Sequence, residues 1–177
     1  DSFPEMLLMN AHNGLGGYTL QGGIFRMVCS NGMVVSDQDF GKIQIRHIGF
    51  EPKQVTQASR ELIMNASQIA DKIGGWQATE MSERSRKDFF ADAAKLRWES
   101  PDDGMILDVA TPRREEDKKT DLWTTFNVAQ ENILRGGFRN GSTNRMVRPI
   151  SNIQKDVNLN TQLWDLASTY SEGYALN

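Results

Sequence analysis

Cysteine is nearly absent: Cys29 is the single one in 177 residues, so no intramolecular disulfide can form. Stability therefore has to come from a packed core, and a reducing compartment such as the cytoplasm is the expected setting. Long apolar runs are also missing. The densest, Met6 to Met9, is closed by Asn10, far short of the roughly 18 consecutive apolar residues of a membrane span, so no membrane partner is expected. Histidine is scarce too. His12, His47 and Cys29 are three scattered donors, where a structural zinc site draws on four close ones; neither a metal nor any other cofactor is expected. The start, Asp1-Ser2-Phe3-Pro4, has neither the basic nor the apolar region of a signal peptide.

What is present is an ordinary globular composition, 38% apolar and 24% charged, with a net charge of −3. A chain of this length buries about 70% of its unfolded surface, enough for one core. The charge is unevenly placed. Residues 1–109 hold 11 basic and 15 acidic side chains, and residues 110–177 hold 9 and 8. From Arg135 to Lys155 there are five cations (Arg135, Arg139, Arg145, Arg148, Lys155) and no carboxylate. The total argues against indiscriminate DNA coating, whereas a local basic strip suits phosphate contact.

The first fifty residues read as strands with glycine punctuation: Glu5–Asn10, Tyr18–Leu20, Ile24–Ser30, Met33–Ser36 and Lys42–Ile48, with Asn13-Gly14, Gly16-Gly17, Gly22-Gly23 and Asn31-Gly32 at the turns. From 52 to 98 the pattern is helical. Val55, Ala58, Leu62, Ala66, Ile69 and Ile73 form one stripe stopped by Gly74-Gly75, and Ser82 caps a second helix carrying Phe89, Phe90, Ala93 and Ala94. Met105–Val109 reads as a short returning strand after the loop 99–104. Residues 117–177 then give a helix from Asp117 to Arg135 stopped by Gly136-Gly137, a basic loop at 138–143 that reads as mobile, and a last helix capped by Asn160. The expected fold is therefore α+β, one domain, with an antiparallel β-meander sheet and helices packed on one face.

Several constellations bear on chemistry. Pro101-Asp102 with Glu116-Asp117-Lys118 has the form of a metal-dependent nuclease motif, but its second half sits in the charged run 113–119, which reads as a solvated helix start. His12 and His47 with a carboxylate form a catalytic alternative to the simpler reading as hydrogen-bonded residues at sheet edges. Cys29 shares a strand face with Phe25 and Met27, the place of a buried small hydrophobe. The glycine pairs open no helix and precede no Lys-Ser or Lys-Thr, so phosphate-loop readings fail. The most productive signal is basic: Arg46, Arg113, Arg114, Lys118, Lys119, Arg135, Arg139, Arg145, Arg148 and Lys155 as phosphate contacts, with Trp123, Phe126 or Phe138 as stacking surfaces. Capping and surface ion pairs account equally well for Arg113–Lys119.

Longer strings carry a family resemblance. Pro4 to Gly14 (PEMLLMNAHNG) resembles a PE-x-x-L-x-NSHDG segment, and Arg26 to Gly32 (RMVCSNG) resembles R-x-VC-[ST]-NG. Arg46-His47 with Gly49, Thr111 to Lys118 (TPRREEDK), Asp121 to Thr125 (DLWTT), Gln130 to Gly137 (QENILRGG) and Asn160-x-x-Leu163-Trp164 complete the series. Together they are similar to domain-of-unknown-function family 932, found in cryptic prophages of enterobacteria. The resemblance departs at Asn13, where the family has Asp, and it implies that this chain is the core of a longer protein. It implies a mobile-element setting in the bacterial cytoplasm and supplies no reaction. It also places Arg113, Arg114, Gln130, Glu131 and Asn132 where core packing would not require polarity. With His12 and His47, the last three make up an expected structural or functional polar network.

The expectation that follows is a non-enzymatic DNA-processing accessory of a phage or plasmid, binding single-stranded or distorted DNA, in an oligomer of its own chain. The alternatives are a metal-dependent nuclease or phosphoesterase built on Asp102, Glu116, Asp117 and Lys118, and an antagonist that acts by contact with a host defence protein.

Overall fold

The computed structural model describes the backbone of residues 2–10, 17–26, 31–34, 42–46, 56, 60 and 66–175, and side-chain surroundings at 56, 60 and 68–173. It divides into two compact units, Asp1–Lys72 and Ile73–Asn177. His12, Cys29, His47, the Asn13-Gly14 turn and the Val55–Leu62 part of the first helical stripe lie outside the described residues.

In the first unit, β1 (Ser2–Asn10) pairs antiparallel with β2 (Gly17–Arg26) along its whole length, Ser2 opposite Arg26 and Asn10 opposite Tyr18. The other edge of β2 is shared. Its C-terminal half pairs with β3 (Asn31–Val34) and its N-terminal half with β4 (Lys42–Arg46). Gly22 and Gly23 lie inside β2, and Asn31 and Gly32 inside β3, so neither pair is a turn.

The second unit is helical. It comprises the end of α1 (Ala66–Gln77), α2 (Glu83–Lys95), α3 (Asp103–Ala110), a 3-10 turn (Glu115–Lys118), α4 (Leu122–Arg135) and α5 (Ile153–Ala175). Here α3, α5, α2 and the 3-10 turn all pack against α4. Every residue from Leu122 to Leu134 is buried, the signature of a helix enclosed on all sides. Its apolar side chains join an aromatic cluster. Trp123 stacks on Phe126 at 5.8 Å, and Trp76 lies 5.8 Å from Phe126 and 4.4 Å from Trp164.

The expected α+β fold, an antiparallel β-meander with helices packed on one face, is thereby overturned. The second unit holds only isolated β-bridges among its described residues, and its core is helix on helix. The strands of the first unit do not run in meander order, because β3 and β4 both pair with β2.

Local rules explain the other differences. Met105–Val109 is helix, because the Asp102 carboxylate accepts from the Met105 N–H at 2.8 Å and caps α3. Ser82 caps α2 as expected, its hydroxyl accepting from the Ser85 N–H. Asp121 rather than Asp117 starts α4. Gly74-Gly75 does not stop α1, which continues and carries Trp76 into the core at 1% exposure. Asn160 is no cap either, since α5 begins seven residues earlier, where Asn152 accepts from the Lys155 N–H.

Candidate nucleic-acid interface

The basic residues fall into two populations. The first surrounds the C-terminal half of α4. Arg114 donates to both oxygens of Glu131 at 2.8 Å and to Asp117 at 2.9 Å, while Arg135 adds a 3.0 Å contact to the same Glu131. Glu131 and Asp117 are each 2% exposed. Burial alone would raise the Glu131 carboxyl, but the Arg114 hydrogen bonds and charge, with Arg135 and Arg113, outweigh it and hold the group below the ordinary carboxylate range. Arg114 is shifted upward by the same hydrogen bonds.

Beside it, Arg113 donates to the Asn132 side chain at 2.7 Å and to the Gly136 carbonyl at 2.8 Å. The Asn132 amide in turn donates to the Val109 and Thr111 carbonyls, both at 2.9 Å. Gln130 donates to Asn160, whose own amide donates to Asp156. Gln130, Glu131 and Asn132 thus sit in buried hydrogen-bonded networks that tie α4 to α3, to the 3-10 turn and to α5. Trp123 and Phe126 belong to the core, which removes them as stacking surfaces.

The second population is the acid-free strip. It hangs from the C-terminus of α4, where the last carbonyls of any helix lack intrahelical partners. Those carbonyls are taken up here by the strip and its neighbours. Gly136 N–H donates to Asn132, Ile150 N–H to Leu134, and Arg97 donates to Ile133 and, at 2.7 Å, to the Arg148 carbonyl. Gly136 adopts φ 62°, ψ −130°, and a Cβ there would stand 2.5 Å from the Val147 carbonyl. Only glycine fits that turn.

Beyond it, residues 138–147 fold back on themselves. Val147 N–H donates to Phe138 at 2.7 Å, Asn140 N–H donates to Arg145 at 2.8 Å, and the Asn140 side chain accepts from Ser142 and Thr143. Gly141 lies against the Asp102 carboxylate, so close that a Cβ would come within 1.7 Å of it.

Arg139, Arg145, Arg148 and Lys155 are all exposed on this strip. Arg139 spends one N–H on the Asn144 carbonyl, and none of the four has a carboxylate partner among the described residues. Phe138 is half-buried, edge-on to Trp98 at 5.8 Å, and Arg97 lies over the Trp98 ring. Of the remaining candidates, Lys118 pairs with Glu115 at 2.6 Å, Lys119 is exposed, and Arg46 ends β4 in the other unit. The sequence does not single out Arg97, because its partners are backbone carbonyls, which leave no residue pattern.

Residues of the nuclease reading have partners of their own. Asp102 caps α3, Asp117 is held by Arg114 and Lys118 by Glu115. Among the described residues, no group of three or more His, Cys, Asp or Glu side chains is placed to hold a metal ion. No helix of the described residues is long and apolar enough to cross a membrane.

Comparison with known proteins gives one consistent result. Residues 1–164 match the family described as "Domain of unknown function (DUF932)". Among curated proteins of Escherichia coli (strain K12), "UPF0380 protein YfjQ" is 32% identical over 170 residues, covering 94% of this chain and 62% of the relative. "UPF0380 protein YafZ" is 32% identical over 168 residues, covering 93% and 61%. The chain therefore spans about three fifths of the length of these relatives. No solved structure matches it.

Proposed function

We propose that this chain, which belongs to the DUF932 family, is the DNA-binding core of a phage- or plasmid-derived accessory protein. In this reading it works in the bacterial cytoplasm and engages single-stranded DNA without cutting it. The observation that carries the reading is the placement of Arg139, Arg145, Arg148 and Lys155. These four exposed cations stand on one acid-free segment that is itself hydrogen-bonded to the end of the buried helix α4. Exposed cations without carboxylate partners can neutralise phosphates and release counterions, the main source of affinity for nucleic acid. The site is narrower than the sequence alone suggests, because Arg113, Arg114 and Arg135 are each engaged by partners on α4 or its end, and Lys118 by its own helical turn.

Gel retention of labelled single strands at low salt, with and without magnesium or manganese, tests the reading. Retarded, intact DNA supports it. Free DNA at low salt contradicts it, and cleavage on adding metal would instead favour a phosphodiesterase.

A further inference from the structure

The strip borders a cleft of about 520 Å³ at the start of α5, within the size range of small-molecule sites. Its composition is selective. Lys155 and Arg97 provide positive charge, Asn152, Asn158 and Gln162 provide amides, Leu96, Pro149 and Ile150 provide apolar surface, and no carboxylate lines it. The amides are only partly used. Asn152 accepts from the Lys155 N–H and Asn158 accepts from Gln154 at 2.8 Å, which leaves their NH2 groups as donors, while Gln162 is exposed. Lys155, Asn158 and Gln162 follow one another at intervals of three and four, so α5 presents them on a single face. The guanidinium of Arg97 is fixed on the Ile133 and Arg148 carbonyls, so it contributes charge at a set position.

A cation beside an apolar wall and a row of amide donors and acceptors is complementary to a nucleotide. The phosphate is met by charge, the ring face by apolar surface and the base edge by Asn and Gln. We infer that this cleft receives one nucleotide of the bound single strand, with its phosphate at Lys155 and its base edge at Asn158 and Gln162. The inference rests on the strand-binding reading above and adds a specific pocket to it. The same chemistry is offered by a free nucleoside monophosphate, so the test separates the two sources.

The experiment compares the protein with the double variant Asn158→Ala/Gln162→Ala, both exposed positions whose replacement should leave the melting temperature unchanged. Fluorescence anisotropy with labelled oligo-dT reads strand binding. Side-chain amide NMR with deoxythymidine monophosphate reads the cleft directly. The expected result is an affinity loss of about tenfold for the strand, on the scale of one base contact. The salt dependence should not change, because no charge is removed. In the unsubstituted protein the nucleotide should shift the Asn158 and Gln162 amide resonances.

If the double variant binds oligo-dT as the unsubstituted protein does, the pocket is overturned while the strip reading stands. Nucleotide shifts without any strand binding by the unsubstituted protein would overturn the strand-borne form and leave a free-nucleotide site. The absence of both overturns the pocket and the strand reading together.

Discussion

Two arginine pairs, Arg113-Arg114 and Arg145/Arg148, have the same chemistry and different surroundings. Arg114 is bound to Glu131 and Asp117, and Arg113 to Asn132 and the Gly136 carbonyl, so both tie α4 to the segment before it. Arg145 and Arg148 extend from an exposed turn with no carboxylate partner among the described residues. Charge counting cannot tell them apart. What distinguishes them is whether a buried acceptor stands opposite, the Glu131 and Asp117 carboxylates for Arg114 and the Asn132 side chain for Arg113, because a buried polar group demands a partner and an exposed cation does not.

Stability measurements can break this comparison. Replacing Arg114 with Ala leaves Glu131 and Asp117 buried without their main cation, and urea unfolding should register a loss of about 3 kcal/mol or more. Arg145→Ala should register about 0.5 kcal/mol or less. The Arg114 contribution should also depend on pH with a definite sign. The folded Glu131 carboxyl lies below its ordinary value of 4.5. Its stabilisation is therefore fully present above that pH and fades as the pH falls through the lower folded value. Equal losses at Arg114 and Arg145 would remove the distinction.

The mooring of the strip gives the next effect. Gly136→Ala forces a side chain onto a positive-φ position and into the Val147 carbonyl, which should cost about 2 kcal/mol. Gly141→Ala should cost about 1 kcal/mol, because its Cβ displaces the Asp102 carboxylate from the Met105 N–H that it caps. In Gly141→Ala the helicity loss should be confined to α3, and amide exchange at Met105 reads it.

The smallest effect carries the opposite sign. Burial raises the Asp156 carboxyl, and the Asn160 hydrogen bond offsets this only in part. Its charged form thus opposes folding at neutral pH and ceases to do so in acid. Asp156→Asn keeps an acceptor for Asn160 and should add up to about 1 kcal/mol near pH 7, a gain that melting curves should show vanishing as the pH is lowered.

The legible parts of the chain were those governed by local chemistry. Ser82 and Gly136 mark helix ends through backbone hydrogen bonding and a positive-φ requirement, and both act as their sequence contexts predict. Leu163, Trp164 and Ala167, spaced three and four apart, are buried along α5. The family strings also held, since the chain belongs to the family they resemble.

Where tertiary packing decides, the sequence misleads. Gly74-Gly75 looks like a stop, but extending α1 by one turn buries Trp76 among Trp123, Phe126 and Trp164. The apolar string Met105–Val109 is too short for its period to separate strand from helix, and the Asp102 cap, three residues ahead of Met105, settles it. Helix-on-helix packing replaces the expected packing on a sheet because α4 buries its polar side as well as its apolar side. Thr124, Asn127, Gln130 and Asn132 are each satisfied by hydrogen bonds that no periodicity encodes. At the site, the run Arg135–Lys155 is legible as charge, and the Glu131–Arg135 spacing of four is local, but that Glu131 is buried, and so holds Arg135 as well as Arg114, is set by packing.

On the proposed reading, the strip cations without acid partners contact DNA, whereas the cations held by Glu131, Asp117 and Asn132 do not. The most direct test is the salt dependence of oligo-dT affinity for the protein and for Arg145→Gln/Arg148→Gln. The log-log slope should become shallower by about 1.4 in the double variant, about 0.7 for each phosphate that is no longer neutralised, with the melting temperature unchanged. An unchanged slope, or no binding by the unsubstituted protein at low salt, would contradict it.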